Sequence, residues 1–237
     1  MKVISAEFVT SAAAGGATTG IPRDGLPQIA MAGRSNVGKS TLINALARRP
    51  IARTSAAPGK TRLANIYRLT VEGHGPGRWG LYLVDLPGYG YARGGKSSAE
   101  ELKAVADAYF RGSGARDAGL GARGAGLEAP GSNEHPEIRT PSRESRTVFL
   151  LIDSRHPGLE SDIQAHEWLA TLGLEPVIVA TKIDKLSRAE RARNLREVER
   201  IFGKPALPVS AERGEGMEEL WKTIANKARA ARRAADE

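Results

Sequence analysis

An α/β architecture, with a mostly parallel six-stranded sheet and helices on both faces, is what the sequence predicts. Two patterns and one size argument predict it. Short apolar runs, nearly continuous in β-branched and aliphatic residues, read as strands buried on both faces. Helix-period segments alternate with them, as parallel strands joined by crossover helices require. At 237 residues the chain supports one substantial core, or at most two small ones.

The first strand is expected at 28–33 (QIAMAG), an apolar run closed by glycine, and the segment after it opens a helix. Strands follow at 64–71 (ANIYRLTV) and at 79–85 (WGLYLVD), the second ending on an acid. A helix is expected over about 98–111, then a strand at 147–153 (TVFLLID). Ala165, Trp168, Leu169 and Leu172 recur at i, i+3, i+4, i+7 and mark one helix face. The strand EPVIVAT (175–181) comes next, and then a helix over 187–202 with Leu195, Val198 and Ile201 or Phe202 inward. ALPVS (206–210) is the sixth strand. The expected organisation is an N-terminal extension and strand (1–27), a single domain (28–226), and a basic helical tail (227–237).

One stretch breaks the alternation. Residues 112–145 contain seven glycines and three prolines and almost no apolar side chains, where connections of about 2–6 residues are usual. They read as a disordered surface insertion within the domain. Counted with the flanking Arg111 and Arg146, its six arginines exceed its five acids, so RNA contact competes with a neutral insertion.

Apolar residues make up 41% of the chain, and mean hydropathy is −0.35, ordinary for a soluble globular protein. No apolar run approaches the roughly 20 residues of a membrane span, and the N-terminus has no secretory or transit pattern. The absence of cysteine excludes disulfides and thiolate metal sites and suits a cytoplasmic protein. A net charge of +8 favours an acidic partner such as nucleic acid, with solubility alone as the competing reading.

The chemistry starts at GRSNVGKST, which fits G-x-x-x-x-G-K-[ST] between a strand and a helix. In such a loop Gly33, Arg34, Ser35, Asn36, Val37, Gly38, Lys39, Ser40 and Thr41 wrap a phosphate chain. Backbone N–H groups turn inward and the helix N-terminus adds its positive end. Lys39 reaches the β- and γ-phosphates, and the Ser40 hydroxyl is placed to ligate Mg²⁺. Asp85 ends a neighbouring strand, where P-loop enzymes keep an acid for Mg²⁺, and Leu86, Pro87 and Gly88 follow. Gly88 has no side chain, so its N–H can approach the γ-phosphate.

The base is read at Thr181, Lys182, Ile183 and Asp184. A carboxylate at Asp184 accepts from both N1–H and N2–H of guanine, a donor pair adenine lacks. The Lys182 stem lies over the base. Val209, Ser210 and Ala211 follow the sixth strand, where the Ala211 N–H can donate to guanine O6 and Ser210 supports the turn. Between the first helix and the second strand, a threonine can complete the Mg²⁺ shell and sense the γ-phosphate. Thr61, flanked by Gly59, Lys60, Arg62 and Leu63, is the favoured candidate, and Thr54 is its rival.

Together GLPQIAMAGRSNVGKSTLINAL, ARTSAAPGKT, VDLPGYGYA, LIDSRHPG and TKIDKL resemble the EngB-type bacterial GTPases of ribosome biogenesis, a branch of the translation-factor-related P-loop GTPases. The resemblance covers about 26–111 and 146–225. It implies a G domain that hydrolyses GTP to GDP with Mg²⁺, with Lys39, Thr61 and Gly88 catalytic and Ser40, Thr61 and Asp85 on the metal. It also implies assembly of the large ribosomal subunit, rRNA among the partners, a link to cell division and septation, and a monomer. The alternative is a GTP-dependent, division-associated scaffold with negligible turnover.

Tyr89 occupies the position where many GTPases keep a water-orienting glutamine, so slow intrinsic hydrolysis is expected. K⁺ held by Asn36 is one candidate replacement for the missing group. The competing reading makes Asn36 a loop residue that tolerates a left-handed backbone. Arg155 and His156 in DSRHPG are either a partner contact or part of a turn in which Asp153 pairs with Arg155.

Overall fold

The computed structural model describes residues 1–12, 21–22, 24–52, 63–74, 77–89, 104–106, 109–110 and 146–236. Within them the strands are β1 (Lys2–Ala12), β2 (Gln28–Gly33), β3 (Ala64–Glu72), β4 (Arg78–Asp85), β5 (Arg146–Asp153), β6 (Val177–Thr181) and β7 (Leu207–Pro208). The helices are α1 (Lys39–Ala47), α2 (Glu160–Thr171), α3 (Arg188–Phe202) and α4 (Met217–Asp236), with a 3₁₀ turn at Ile183–Lys185. Residues 104–106 and 109–110 are helical as well. The 112–145 insertion lies outside the described residues.

The sheet order is β1-β3-β4-β2-β5-β6-β7. β2, β4, β5, β6 and β7 run parallel, while β3 pairs antiparallel with β4 and with β1. The strand expected within 1–27 joins the expected six as a seventh, at the edge of the sheet. Of its side chains only Ala6 is buried, and Phe8 is 56% exposed, so β1 carries little of the apolar pattern that marks the inner strands.

Period-2 alternation sends each inner strand to both faces. Ile29 and Met31 pack with α1 and α4, and Ala30 and Ala32 pack toward the helical residues 104–106 and 109–110, α2 and α3. β2 is buried at all six positions, which explains its continuous apolar run. α3 starts with a capping box between Ser187 and Glu190 and stops at Gly203 in a left-handed cap. α4 continues past the expected boundary at 227, because Ala228 and Ala231 extend the buried stripe of Leu220, Trp221 and Ile224. The basic tail is the final part of that helix. Its outer face carries the exposed Lys227, Arg229, Arg232 and Arg233.

Candidate functional site

β2, β4, β5 and β6 end along one edge of the sheet, and the loops that leave them meet there. Gly33 closes β2 in tight quarters. A Cβ there would lie 2.9 Å from the Leu151 carbonyl and from Val37. Asn36 (φ 64) and Gly38 (φ 108) turn the chain through left-handed backbone so that α1 begins without a side-chain cap. The N–H groups of its first turn are left to an anion. The left-handed reading of Asn36 is thus observed.

Lys39 is buried, and its ammonium donates to the Gly33 carbonyl at 3.1 Å and to the Arg34 carbonyl at 3.4 Å. Asp85 is buried opposite it, and the Ser40 hydroxyl donates to Asp85 Oδ2 at 3.4 Å. Burial pushes the Lys39 ammonium down, against the pull of Asp85. Burial pushes the Asp85 carboxyl up, against Lys39 and Ser40. Asp85 Oδ1 is buried with no hydrogen-bond partner, a free hard-oxygen donor beside a hydroxyl. Ser40 and Asp85 therefore fit a small divalent cation.

The loop after β4 lies along the phosphate loop. Leu86 N–H donates to the Met31 carbonyl at 3.1 Å, and Ser35 N–H donates to the Tyr89 carbonyl at 2.9 Å. At Gly88 an added Cβ would be 2.9 Å from Lys39 Nζ and 2.9 Å from Ser35 N, so only glycine fits this approach.

The segments expected to read the base also converge. The Ser210 hydroxyl donates to Asp184 Oδ1 at 2.7 Å, and Lys185 sits 3.2 Å from Asp184 Oδ2. Burial opposes the Asp184 carboxylate, but Ser210 and Lys185 hold its carboxyl below the usual range. Ser210 also accepts from Arg213 N–H, as a turn support does. The Thr181 hydroxyl shares one proton between the Val37 carbonyl at 2.8 Å and the Ile152 carbonyl at 3.1 Å. Lys182 (φ 59) donates to the Asn36 carbonyl at 2.5 Å and to Asp153 Oδ2 at 2.9 Å. Ile183 is buried, and its N–H donates to the Val209 carbonyl at 3.4 Å.

The Arg155 guanidinium grips Asp153 in two hydrogen bonds of 2.9 and 2.7 Å, and the Arg155 N–H adds a third at 3.1 Å, the turn pairing read in DSRHPG. Burial works against the Asp153 carboxylate, yet Arg155 and Lys182 outweigh it and hold its carboxyl well below the ordinary range. Among the expected site residues, Gly59, Lys60, Thr61 and Arg62, and the rival Thr54, lie outside the described ones, and Leu63 precedes β3 half-exposed at 37%.

Two site residues escape the motif reading. Asp153 sets the position of Lys182 from the neighbouring strand end. Asp162, in the first turn of α2, accepts from Tyr89 OH at 3.0 Å and pairs with Arg34 at 3.3 Å. A signal for it exists in the sequence: Asp162 lies at i−3 from Ala165 and i−7 from Leu169, an acid on the apolar stripe of the helix. Among the described residues no helix is long and apolar enough to cross a membrane, and no cluster of His, Cys, Asp and Glu of metal-binding size occurs.

The family model for 50S ribosome-binding GTPases matches residues 28–116. A probable GTP-binding protein EngB of Pelotomaculum thermopropionicum is 36% identical over 231 residues, covering 94% of this chain and 96% of its own. One of Clostridioides difficile is also 36% identical over 231 residues, covering 95% and 94%. A crystal structure of a probable GTP-binding protein engB superposes with a TM-score of 0.56 at 21% identity, over 85% of this chain and 98% of that one. Aquifex aeolicus Era bound to GDP·AlF4⁻ gives a TM-score of 0.61 at 18% identity, over 85% of this chain and 56% of that one. At such identities the two structures are likenesses of fold.

Proposed function

This chain belongs to the EngB family of GTP-binding proteins and is a P-loop GTPase, and on that premise we propose that it is a Mg²⁺-dependent switch that binds precursors of the large ribosomal subunit. The match of 28–116 to the family model for 50S ribosome-binding GTPases carries the ribosomal part. The exposed cations of α4 support it. Lys227, Arg229, Arg232 and Arg233 face solvent, and each cation set against a phosphate makes binding more salt-dependent. On this reading the protein works in the cytoplasm as a monomer, with a link to cell division and septation.

Gly33 to Thr41 hold the phosphates, with Lys39 at the β- and γ-groups. Asp184 and the Ala211 N–H read guanine, and Lys182 covers the base. Ser40, Asp85 and Thr61 hold Mg²⁺, which when bound spreads the negative charge that develops on the phosphates. Support for that site is the unpartnered Asp85 Oδ1 beside the Ser40 hydroxyl. Triphosphate orders Thr61 and Gly88 on its γ-phosphate, and hydrolysis releases both. The domain is a single unit that begins at 28 and runs through α4, with β1 added at its edge and 112–145 inserted into it.

The expected result in cell extract is co-sedimentation with large-subunit precursors in the presence of a non-hydrolysable GTP analogue, and release with GDP. Free protein in both conditions would refute the ribosomal reading. K⁺ beside Asn36 is the proposed substitute for a glutamine at position 89. Single-turnover hydrolysis should then be faster in K⁺ than in Na⁺, and equal rates would remove the cation.

A further inference from the structure

Tyr89 is where the sequence leaves a question, because a phenol cannot orient water as an amide does. The structure shows what the phenol does touch. Its hydroxyl donates to Asp162 Oδ1 at 3.0 Å, and Arg34 Nε pairs with the same oxygen at 3.3 Å. The Asp162 side chain is fully buried, and its second oxygen has no hydrogen-bond partner. One carboxylate in the first turn of α2 therefore joins the phosphate loop, through Arg34, to the loop after β4, through Tyr89.

The backbone closes the same seam. Arg34 and Tyr89 form a parallel bridge, Ser35 N–H donates to the Tyr89 carbonyl at 2.9 Å, and the Ser35 hydroxyl donates to the Gly88 carbonyl at 3.3 Å. Phosphate-loop donors are thus spent on the chain's own carbonyls, and Lys39 is likewise turned to the Gly33 and Arg34 carbonyls. Gly88 lies so close to Lys39 and Ser35 that a single methyl group would come within 2.9 Å of both. A γ-phosphate has to sit between Lys39 and Gly88, and it is far larger than a methyl. A β-phosphate lies deeper in the turn of the loop and does not need that gap.

We propose that Asp162 is the positioning residue of a latch that holds Tyr89 against Arg34, and that the closed latch opposes entry of the third phosphate while leaving diphosphate binding nearly untouched. The inference rests on the reading that Gly33 to Ser40 hold the phosphates. It also accounts for an aromatic residue at 89, whose hydroxyl, at the far end of a rigid ring, spans the distance to α2. A hydroxyl donating to a buried carboxylate is among the stronger kinds of hydrogen bond. Apparent triphosphate affinity is then the intrinsic affinity scaled by the fraction of molecules with the latch open.

The test compares fluorescent GDP and a fluorescent non-hydrolysable GTP analogue on the full chain and its Tyr89→Phe and Asp162→Asn variants. Tyr89→Phe removes one oxygen and keeps the ring, and is expected to tighten the triphosphate about fivefold while GDP stays within about twofold. Asp162→Asn keeps an acceptor for the phenol and loses the charge facing Arg34, so its effect should fall between wild type and Tyr89→Phe. A packing role alone would lower Tm and move both nucleotides together. Equal shifts for the two nucleotides, no shift, or weaker triphosphate binding in Tyr89→Phe would overturn the latch alone. A wild-type chain that binds neither nucleotide would overturn the phosphate-loop reading along with it.

Discussion

Replacing Asp184 by Asn is expected to weaken GTP binding by roughly 10²–10³-fold and to transfer preference to xanthosine triphosphate. The carboxylate presents two acceptors to N1–H and N2–H of guanine. An amide presents one acceptor and one donor, and the donor faces the guanine amine, leaving polar groups unpaired in a closed site. Xanthine carries a carbonyl where guanine carries that amine, so the amide donor regains a partner. The Ser210 hydroxyl, 2.7 Å from Asp184 Oδ1, remains able to orient the replaced side chain. Fold should therefore persist, and paired titrations with GTP and XTP separate lost specificity from lost structure. Unchanged GTP affinity in the variant would remove Asp184 from base recognition.

The second large effect is expected from Lys39→Ala. Lys39 is the buried cation of the phosphate loop, and burial already penalises its charge. Bound phosphate supplies the anion that compensates that penalty, so the ammonium acts on ligand far more than on the fold. Truncation should lower single-turnover GTP hydrolysis by about 10²–10³-fold, as loss of one preorganised charge at a reacting group does. Thermal stability should change little, because the variant also sheds a buried charge. Measuring Tm beside the hydrolysis rate distinguishes the two. Hydrolysis within a few-fold of wild type would mean that Lys39 only spans the loop between the Gly33 and Arg34 carbonyls.

The two halves of this site differ in how well sequence exposes them. Gly33, Lys39, Asp85, Gly88 and Asp184 stand in short segments whose spacing the sequence exposes, and the strand ends that carry those segments meet at one edge of the sheet. β2 is readable because both its faces are buried, and its run is unbroken. β1 is an edge strand with Phe8 outward and lacks that signature, so the sequence marks a strand within 1–27 without giving its bounds. β6 begins at Val177, two residues after the expected start at 175, because Pro176 has no N–H to give to a ladder. Asp162 meets Tyr89 across 73 residues of chain, and its contacts depend on which helix face reaches which loop. Local pattern marks it only as an acid on an apolar stripe. Asp153 is similar: its pairing with Arg155 is local and legible, and its hold on Lys182 is not.

The bonds that Thr181 and Lys182 make to the Val37 and Asn36 carbonyls have a metrical consequence. They tie the loop proposed to read the base to the phosphate loop through the protein, so the span between the two is fixed before a nucleotide arrives. The site then works as a ruler as well as a set of contacts. A nucleotide with the right base on a longer or shorter sugar-phosphate arm cannot slide to satisfy both ends, because neither end yields alone. The fixed span also ties the two loops' tolerance of change together, and a substitution that shifts one is felt at the other.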